Sequence, residues 1–282
     1  MVLHDGTIVI TGAATGIGRR AAVQLTRRGR HVIVVTRSDD RATGVVEAAT
    51  SEARDGGRIT SVPADLADLG QVRRAAAQIA DLGPVHAIVN NAAILAIARR
   101  RPRLTVDGVE EVFAVNHVAP FVLTTALRTH LTGRGRAILA GSKGLVVLPW
   151  LRLDLDDLDS SRRWSPVRAY YRSKLAQLAF AAELCRRGVD ASVLRIPSVR
   201  VDHERLAAYP RLVRLAYQPK LRVAADPTVV AARYVDLVTA TRAVTGHVDM
   251  RLRPVRWPGG THDARLGAQV WSATEALATG RS

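Results

Sequence analysis

The sequence predicts an α/β fold in which a parallel sheet is doubly wound, with helices on both faces. Short apolar runs alternate with segments of helical periodicity through the first two thirds of the chain. A glycine-rich turn joins the first apolar run to the first helical segment. Because 282 residues with 48% hydrophobic content suit one large core, we expect a single domain over residues 1–282.

The predicted elements follow one another without a linker or an internal repeat. Strands are predicted at 7–10, 31–36, 58–62, 85–90, 136–140 and 191–196, with a short one near 247–250. Helices are predicted near 17–29, 41–55, 70–82, 107–130, 168–187, 226–240 and 262–278. After Pro197 the pattern becomes a mixture of apolar residues and arginines. We interpret residues 198–225 as a helical lid that covers the substrate.

Composition argues against several classes of protein. The formal net charge is +16, but 38 of the 41 basic residues are scattered arginines and only 4% of residues are aromatic. A nucleic-acid binder is therefore an alternative that the sequence disfavours. The single cysteine, Cys185, excludes an internal disulfide. Because no leader and no apolar run near the ~20 residues of a membrane span is evident, we expect a cytoplasmic protein without nucleic-acid or membrane partners.

The segment TIVITGAATGIGRRAAVQL passes from a strand through a glycine-rich turn into a helix. Its glycines let the backbone turn tightly and approach a ligand without a Cβ in the way. The helix that opens near residue 17 directs its free N–H groups toward a pyrophosphate. We predict a Rossmann-type dinucleotide site, with a turn that binds no ligand as the alternative. The predicted binding residues are Gly12, Ala14, Thr15, Gly16, Ile17 and Gly18.

The end of the second strand discriminates between the two nicotinamide dinucleotides. An NAD-selective fold places an acidic side chain there for the ribose 2′-hydroxyl. This chain has Thr36 and Arg37, and an arginine can form a forked contact with a 2′-phosphate. NADP(H) is therefore favoured over NAD(H), with an ordinary surface arginine as the alternative for Arg37. After the third strand, Asp65 and Leu66 are predicted to contact the adenine, although Asp65 or Asp68 could instead cap the next helix.

Residues 169–177, AYYRSKLAQ, place two tyrosines shortly before a lysine. Tyr170 and Lys174 are four residues apart and share one helix face, whereas Tyr171 points about a quarter-turn away. An adjacent ammonium stabilises a phenolate and lowers the pKa of the phenol toward a useful range. A compact ammonium can also donate to a ribose hydroxyl. Because arginine dominates elsewhere in this chain, we predict that Tyr170 and Lys174 act together; an incidental pair on a helix is the alternative.

Several short motifs occur in a characteristic order: TGAATGIG, PADLADL, VNNAA, VNHVAPF, a strand that ends at Ser142, YYRSK and RIPSV. In this order, and at about this spacing, the chain resembles the short-chain dehydrogenase/reductase family over nearly its entire length. The segment between the serine and the tyrosines, together with the tail HDARLGAQVWSATEAL, is most similar to the retinol-dehydrogenase-like branch.

The resemblance implies a role for each residue that matches a family motif. It implies Tyr170 as the general acid/base, with Lys174 as its activator and as an anchor for the ribose. It implies Ser142 as a donor to the carbonyl oxygen and Asn116 as the holder of a relay water. Asn90 is implied to brace the sheet and to line the cofactor cleft. The remaining cofactor-binding residues that the resemblance implies are Asn91, Ala92, Ala93, Pro197, Ser198 and Val199, besides Tyr170 and Lys174.

Ser142, Asn116 and His117 each have a structural interpretation as an alternative to a catalytic one. Ser142 ends the apolar run RAILAGS at the carboxyl edge of a strand, where open α/β sheets bind ligands, but it could merely cap a turn. Asn116 lies within a predicted helix, and its side chain could bond to that helix. For His117 a packed or solvated histidine is favoured over a catalytic one.

The acidic stretch at 154–159 lacks the central glycine and final glutamate of a calcium loop, so we predict a solvated surface loop and no metal site.

The resemblance therefore implies an NADP(H)-dependent oxidoreductase that interconverts a ketone or aldehyde and an alcohol. A fairly large apolar small molecule, as in secondary metabolism, is the expected substrate class. Two departures from the family pattern, Ser198 after the proline and Val201 in place of a threonine, favour an alternative. In that alternative the protein binds the cofactor without net redox, as an isomerase, a cyclase or a redox-sensing protein. Both a homodimer and a monomer are compatible with the resemblance.

Overall fold

Seven strands form a single sheet in the computed structural model, which describes residues 6–200 and 224–280. The strands are β1 Thr7–Thr11, β2 His31–Thr36, β3 Arg58–Pro63, β4 Val85–Asn90, β5 Leu131–Ser142, β6 Asp190–Ile196 and β7 Gly246–Val248. Their order is β3-β2-β1-β4-β5-β6-β7, and each neighbouring pair is parallel. The predicted doubly wound parallel sheet is confirmed.

The described helices alternate with the strands along the chain. They are α1 Gly16–Thr26, α2 Asp39–Glu52, α3 Leu69–Asp81, α4 Glu111–Phe113, α5 Ala119–Ala126, α6 Pro166–Arg186, α7 Pro227–Thr239 and α8 Ala264–Thr279. A π-helical stretch, Ala114–Val118, connects α4 to α5. None of the helices in the described ranges combines the length and the apolar character that crossing a membrane requires.

Side chains alternate along the strands and pack into two apolar cores, one on each face of the sheet. Ile8 and Ile10 of β1 pack in the core that α1, α2 and α7 cover. Val9, between them, packs in the core that α3, α5, α6 and α8 cover. All three side chains are fully buried. This burial on both faces explains why the central strands read as continuous apolar runs.

The strand order reverses at β1. The chain first proceeds outward through β2 and β3, and then returns to β4, which pairs with the other side of β1. Crossovers on the two sides of this point leave on opposite faces of the sheet. A crevice therefore opens at the carboxyl ends of β1 and β4, which is where open α/β sheets bind ligands.

Two predicted elements differ from the structure. The helix predicted at 107–130 is interrupted, because the π-helical stretch separates α4 from α5 and a 3-10 turn, Arg128–His130, follows. The strand predicted at 136–140 is longer and begins at Leu131. Of the lid predicted at 198–225, residues 201–223 lie outside the described residues, and so does Val201.

The predicted solvated loop at 154–159 is wrong for Asp157. This residue is buried, and its carboxylate lies 3.6 Å from the guanidinium of Arg172 in α6. The Asp154 carboxylate lies 3.6 Å from the same guanidinium, which also donates to the Asp157 main-chain oxygen at 3.2 Å. A buried cation is costly unless it is paired. The acidic stretch is thus a counter-charge that attaches this segment to α6.

Candidate active site

The carboxyl ends of three neighbouring strands bring the predicted site residues to one edge of the sheet. The glycine-rich turn follows β1, Asn91 and Ala92 follow β4, and Ser142 ends β5. The helix α6 packs beside β5 and carries Tyr170 and Lys174 toward this edge. The site is therefore assembled from segments that are more than 150 residues apart in sequence, from Gly12 to Lys174.

The glycine-rich turn has the shape of a phosphate cradle. Gly12 and Gly16 adopt left-handed φ angles of 65° and 61°. A Cβ at Gly16 would meet nothing within 4 Å, so the backbone there borders open space. Thr15, the residue before α1, makes no side-chain hydrogen bond to the first turn of the helix. The first N–H groups of α1 are left for an anion, and these residues fit the phosphates of a dinucleotide.

Asn91 fastens the glycine-rich turn to the end of β4. Its side-chain amide donates to the main-chain oxygens of Thr11 and Gly12 at 3.0 and 3.1 Å. Ala92 reinforces the contact, because its N–H donates to the Thr11 hydroxyl at 3.1 Å. The predicted cofactor-binding residues Asn91 and Ala92 thus hold the turn in place, and Ala93 follows them in the same segment.

The position expected for Asn90 is only partly right. Its amide donates to the Thr124 hydroxyl of α5 at 3.1 Å, so it braces the sheet against a helix. Its side chain is fully buried, and therefore it does not line the cleft as we expected. The adjacent residue, Asn91, faces the turn instead because successive side chains at a strand end point in opposite directions.

At the end of β2, Arg37 is exposed and pairs loosely with Asp65. The two charged groups lie 3.6 Å apart. Asp65 also accepts from the N–H of Ala67, whereas Asp68 caps α3 by accepting from Gln71. The capping alternative therefore belongs to Asp68, and Asp65 stays at the rim of the predicted adenine site. Leu66, by contrast, is packed into the apolar core.

Lys174 is fully buried between α6 and β5. Its ammonium donates to the main-chain oxygen of Ala140 at 2.7 Å and to the side-chain oxygen of Gln177 at 3.0 Å. It lies 5.6 Å from the centre of the Tyr170 ring, so the predicted proximity of lysine and phenol ring is present. Burial lowers the pKa of Lys174 to about 7.

The two adjacent tyrosines occupy different surroundings. Their rings contact edge to face with centroids 5.1 Å apart. The Tyr171 hydroxyl lies against Gly144, where an added Cβ would be only 2.1 Å from it. Burial raises the pKa of Tyr171, and a hydrogen bond from Ser142 offsets part of this rise. Tyr170 is the ring beside Lys174. The structure thus joins Ser142 to Tyr171, a contact that the sequence did not predict, and the choice of Tyr170 as acid/base stays a prediction.

Ser142 itself caps the 3-10 turn Lys143–Val147, which is the alternative that its position allowed. The Ser142 oxygen accepts from the N–H of Gly144 at 3.2 Å. This bond uses a lone pair and not the hydroxyl hydrogen. The capping role is therefore compatible with donation to a substrate oxygen.

Asn116 lies at the centre of the π-helical stretch, and its side chain holds neighbouring elements together. Its oxygen accepts from the Ile94 N–H at 2.8 Å, and its amide donates to the Ile94 oxygen and to the Ser173 hydroxyl, each at 3.0 Å. These bonds use both N–H groups of the side-chain amide and one lone pair of its oxygen, so Asn116 joins the segment after β4 to α6. A π-helical stretch shifts the regular main-chain pairing, and such stretches are frequent at functional sites.

The neighbouring His117 is packed, as favoured from the sequence. It is fully buried between Phe113 and Phe180, and its Nε2 is bonded to the Thr274 hydroxyl of α8 at 2.8 Å. Burial, with a smaller contribution from the Lys174 charge, lowers the pKa of His117 to about 3. A histidine that stays neutral and faces away from the cleft is structural.

Beyond β6, the predicted nicotinamide-binding residues run along the edge of the described region. Val199 forms a parallel bridge with Ala225, and the main-chain oxygen of Ser198 accepts from the N–H of Ala225 at 2.8 Å. Pro197 precedes them directly after the strand. These contacts bring the described residues on either side of 201–223 together at the carboxyl edge of the sheet.

Two residues at the site were missed by sequence reasoning. Gln177 bonds the Lys174 ammonium, and its spacing of three residues on the same helix was a usable signal. Tyr171 bonds Ser142, and no local signal identifies this contact because it depends on how α6 lies against the end of β5.

Comparison with known proteins agrees with this geometry. A family model described as short chain dehydrogenase matches residues 6–148. A protein of Streptomyces sp. (strain C5), provisionally named daunorubicin C-13 ketoreductase, is 34% identical over 277 residues, which cover 97% of this chain and 93% of that protein. Retinol dehydrogenase 13 of Homo sapiens is 34% identical over 183 residues, which cover 64% of this chain and 54% of that protein.

A solved structure agrees as well. The short chain dehydrogenase from Burkholderia cenocepacia J2315, in complex with NADP, matches with a TM-score of 0.64 and 25% identity over 87% of this chain and 96% of that one. The sheet order, the glycine-rich turn and the relatives are consistent with one another. The chain belongs to the short-chain dehydrogenase/reductase family of oxidoreductases, and to its retinol-dehydrogenase-like branch.

Proposed function

We propose that this protein is an NADP(H)-dependent oxidoreductase that interconverts a ketone or aldehyde and an alcohol on a fairly large apolar small molecule. The observation that carries the proposal is the burial of Lys174 beside Tyr170. The Lys174 ammonium donates to the main-chain oxygen of Ala140, which lies two residues before Ser142 in β5. A buried ammonium is costly, and fold stability alone does not call for it. Perturbed ionisable groups of this kind concentrate at functional sites.

The proposed chemistry divides one hydride and one proton between the cofactor and the protein. A bound nicotinamide supplies the hydride in reduction and accepts it in oxidation. Tyr170 gives the proton to the carbonyl oxygen, or takes it from the alcohol. The Ser142 hydroxyl donates to the same oxygen while negative charge develops on it. The Lys174 ammonium stabilises the phenolate that Tyr170 becomes.

A preference for NADP(H) is supported by the absence of a carboxylate at the end of β2. Arg37 stands there, exposed, and its guanidinium lies 3.6 Å from the Asp65 carboxylate. A guanidinium of this kind can turn to a 2′-phosphate and form a charge-assisted bond. The glycine-rich turn would hold the other phosphates, with the free N–H groups of α1.

A bulky apolar substrate is supported by the segment that follows Ser142. Val146, Val147 and Trp150 are 57%, 69% and 70% exposed, although each is apolar. Apolar side chains gathered beside a candidate site favour a ligand that covers them. The names of the relatives specify daunorubicin and retinol, which are both large molecules with extended apolar parts.

The activity is tested with the purified full chain, NADPH and a panel of bulky apolar ketones and aldehydes. We expect NADPH oxidation, and mass spectrometry should identify the matching alcohol. If NADPH binds but is not oxidised with any carbonyl in the panel, the proposal fails. The cofactor-binding protein without net redox then becomes the better account.

Tyr170→Phe tests the assignment of the acid/base. Without the hydroxyl, the proposed proton donor is removed, so we expect kcat to fall by about 10²–10⁴-fold. NADPH affinity, measured by fluorescence titration, should change little. Tyr171→Phe is the matched control and should keep substantial turnover. Equal inactivation by the two changes contradicts the assignment.

Arg37→Gln tests the choice of cofactor. Loss of a charge-assisted bond to the 2′-phosphate should weaken NADPH binding by about 10–100-fold and leave NADH binding unchanged. Arg41→Gln removes an exposed arginine from the same region and should affect neither cofactor. If NADPH and NADH affinities fall together in Arg37→Gln, the residue does not discriminate between them.

A further inference from the structure

Gln177 is a buried polar residue that the proposed chemistry does not use. It lies in the apolar run LAQLAF of α6, where its neighbours Leu178 and Phe180 are packed in the core. The side chain of Gln177 is fully buried as well, and its Nε2 has no hydrogen-bond partner among the described residues. A buried amide that is only half satisfied is costly, and an apolar side chain would suit this position better. The packing of the core alone therefore does not explain a glutamine here.

The oxygen of the same amide accepts a hydrogen bond from Lys174. The Lys174 Nζ lies 3.0 Å from the Gln177 Oε1 and 2.7 Å from the main-chain oxygen of Ala140. An ammonium only donates, so the amide oxygen, and not its nitrogen, has to face it. The two acceptors belong to different elements, Ala140 to β5 and Gln177 to α6.

The second acceptor matters because lysine has a flexible stem and three N–H groups. With both bonds in place, the ammonium is held 5.6 Å from the centre of the Tyr170 ring. One N–H then remains for a ribose hydroxyl or for the Tyr170 phenolate. With Ala140 as its sole acceptor, the buried ammonium would have one restraint fewer, and its charged form would lose a charge-assisted hydrogen bond.

We infer that Gln177 is a positioning residue, which keeps the Lys174 ammonium charged and in place beside Tyr170 by accepting one of its hydrogen bonds. This inference rests on the proposed function, because it requires the ammonium to stabilise the Tyr170 phenolate. It adds a third residue of α6 to the buried pair of Tyr170 and Lys174. Gln177 acts through Lys174 and not on the reacting atoms.

The ionisable groups around Lys174 allow its titration to be followed by itself. Besides Tyr170, the ammonium faces His117 of the π-helical stretch, and the pKa of about 3 keeps this histidine neutral near pH 7. Tyr234 of α7 interacts with Tyr170, and burial raises the pKa of Tyr234, so it stays neutral as well. Burial lowers the pKa of Lys174 to about 7. A pKa near 7 that moves in a Gln177 variant is therefore that of Lys174.

A direct measurement is possible because the chain has only three lysines, Lys143, Lys174 and Lys220. In protein labelled with carbon-13 at the lysine ε-carbons, the NMR signal that is missing in Lys174→Met belongs to Lys174. Titration of this signal in the cofactor-free protein gives the pKa without any need for turnover. In Gln177→Met, we expect the proton affinity of Lys174 to fall by about tenfold, since one charge-assisted hydrogen bond is lost. In Gln177→Glu it should rise, because a carboxylate replaces the neutral acceptor.

The same variants test the role of Gln177 in turnover. We expect the alkaline fall in kcat/KM to begin about one pH unit lower in Gln177→Met, and at a higher pH in Gln177→Glu. Shifts in opposite directions distinguish an effect on the charge from a loss of packing, which would lower the rate at every pH. Gln78→Met makes the same substitution at an exposed position of α3, and it should change neither the pKa of Lys174 nor the pH profile. Thermal melting verifies that each variant is folded, and Gln177→Asn, which withdraws the oxygen by one methylene group, replaces Gln177→Met if the latter is not.

Three results would contradict the inference. The first is an unchanged pKa of Lys174 in Gln177→Met, and the second is a shift in the same direction in Gln177→Glu. The third is a pKa that shifts as expected while the pH profile of kcat/KM does not follow it, because the charge would then not serve the reaction. If the wild-type protein reduces no carbonyl in the panel, the proposed function fails, but the NMR titration still decides whether Gln177 holds the ammonium. The two failures are therefore distinguishable.

Discussion

The buried ammonium of Lys174, at the candidate active site, makes folding stability depend on pH. Its pKa of about 7 in the folded protein lies well below the ~10.4 of an exposed lysine. Between these two values the unfolded chain binds more protons than the folded one. Folding stability that depends on this residue therefore rises as the pH increases from about 7 toward 10.

Lys174→Met should remove this contribution. In urea unfolding of the cofactor-free protein, we expect the wild-type free energy of unfolding to increase between pH 7 and 9.5, relative to that of the variant. The comparison between the two proteins cancels the groups that they share. Parallel curves over this range would show that Lys174 is not desolvated as the structure indicates.

At the residue scale, contacts within one helix could be predicted from the sequence, whereas contacts between distant segments could not. The helical spacing of Tyr170 and Lys174 was enough to place the lysine beside the Tyr170 ring. The bonds of Asn116 to Ile94 and Ser173 were not predictable, because they join segments whose relative position only the packed fold determines. The contact of Tyr171 with Ser142 was missed for the same reason.

At the scale of elements, α1 packs against the end of β4 closely enough that Gly18 has no room for a side chain. A Cβ at Gly18 would lie 2.6 Å from the Asn91 amide and 2.7 Å from the Gly12 oxygen. Asn91 is also the residue that fastens the glycine-rich turn. The absence of a side chain at Gly18 is therefore part of how the turn is held.

Gly18→Ala should push α1 away from Asn91 and disturb the turn. We expect a loss of about 1–3 kcal/mol in the free energy of unfolding, together with weaker NADPH binding. Gly44→Ala is the matched control in α2, and it should be neutral or stabilising by up to about 1 kcal/mol, because alanine is the better helix former. Equal effects of the two substitutions would show that the close approach at Gly18 does not matter.

Helix and strand boundaries were predicted to within a few residues where periodicity was strong, as in α6 and β4. Periodicity could not indicate the π-helical stretch Ala114–Val118, because one extra residue in a turn leaves the apolar pattern nearly intact. The role of the acidic stretch at 154–159 was misjudged because its partner, Arg172, lies on a helix that follows it. Ion pairing between elements leaves no periodic signal.

At the scale of the whole molecule, the layered architecture could be predicted because several independent features of the sequence indicate the same fold. Continuous apolar strands, amphipathic helices and a glycine-rich first turn all require a parallel sheet that is covered on both faces. The individual hydrogen bonds between the sheet and the helices that cover it were not predictable. For example, the buried guanidinium of Arg136 in β5 donates to the Val238 oxygen at the end of α7, at 2.7 Å. Such a bond satisfies a carbonyl that the helix itself leaves unpaired.

The C-terminal helix α8 is joined to the site through His117, and this connection has a consequence in acid. His117 bonds Thr274 of α8, and its pKa of about 3 in the folded protein lies below the ~6.5 of an exposed histidine. Between these values the unfolded chain binds the additional proton, so stability is lost as the pH falls from about 6.5 toward 3. The charged imidazolium would have to be buried between Phe113 and Phe180.

His117→Leu should therefore reduce the acid sensitivity of the whole fold. Leucine suits the apolar surroundings, and Thr274 keeps its own bond to the Val270 oxygen at 2.7 Å, so no polar group loses its only partner. We expect the free energy of unfolding to fall less steeply between pH 6.5 and 4 than in the wild type, as measured by urea unfolding at each pH. His130→Gln, at an exposed histidine, is the control and should keep the wild-type slope. If His117→Leu also keeps that slope, protonation of His117 does not contribute to acid unfolding, and the link between α8 and the π-helical stretch does not weaken in acid by this route.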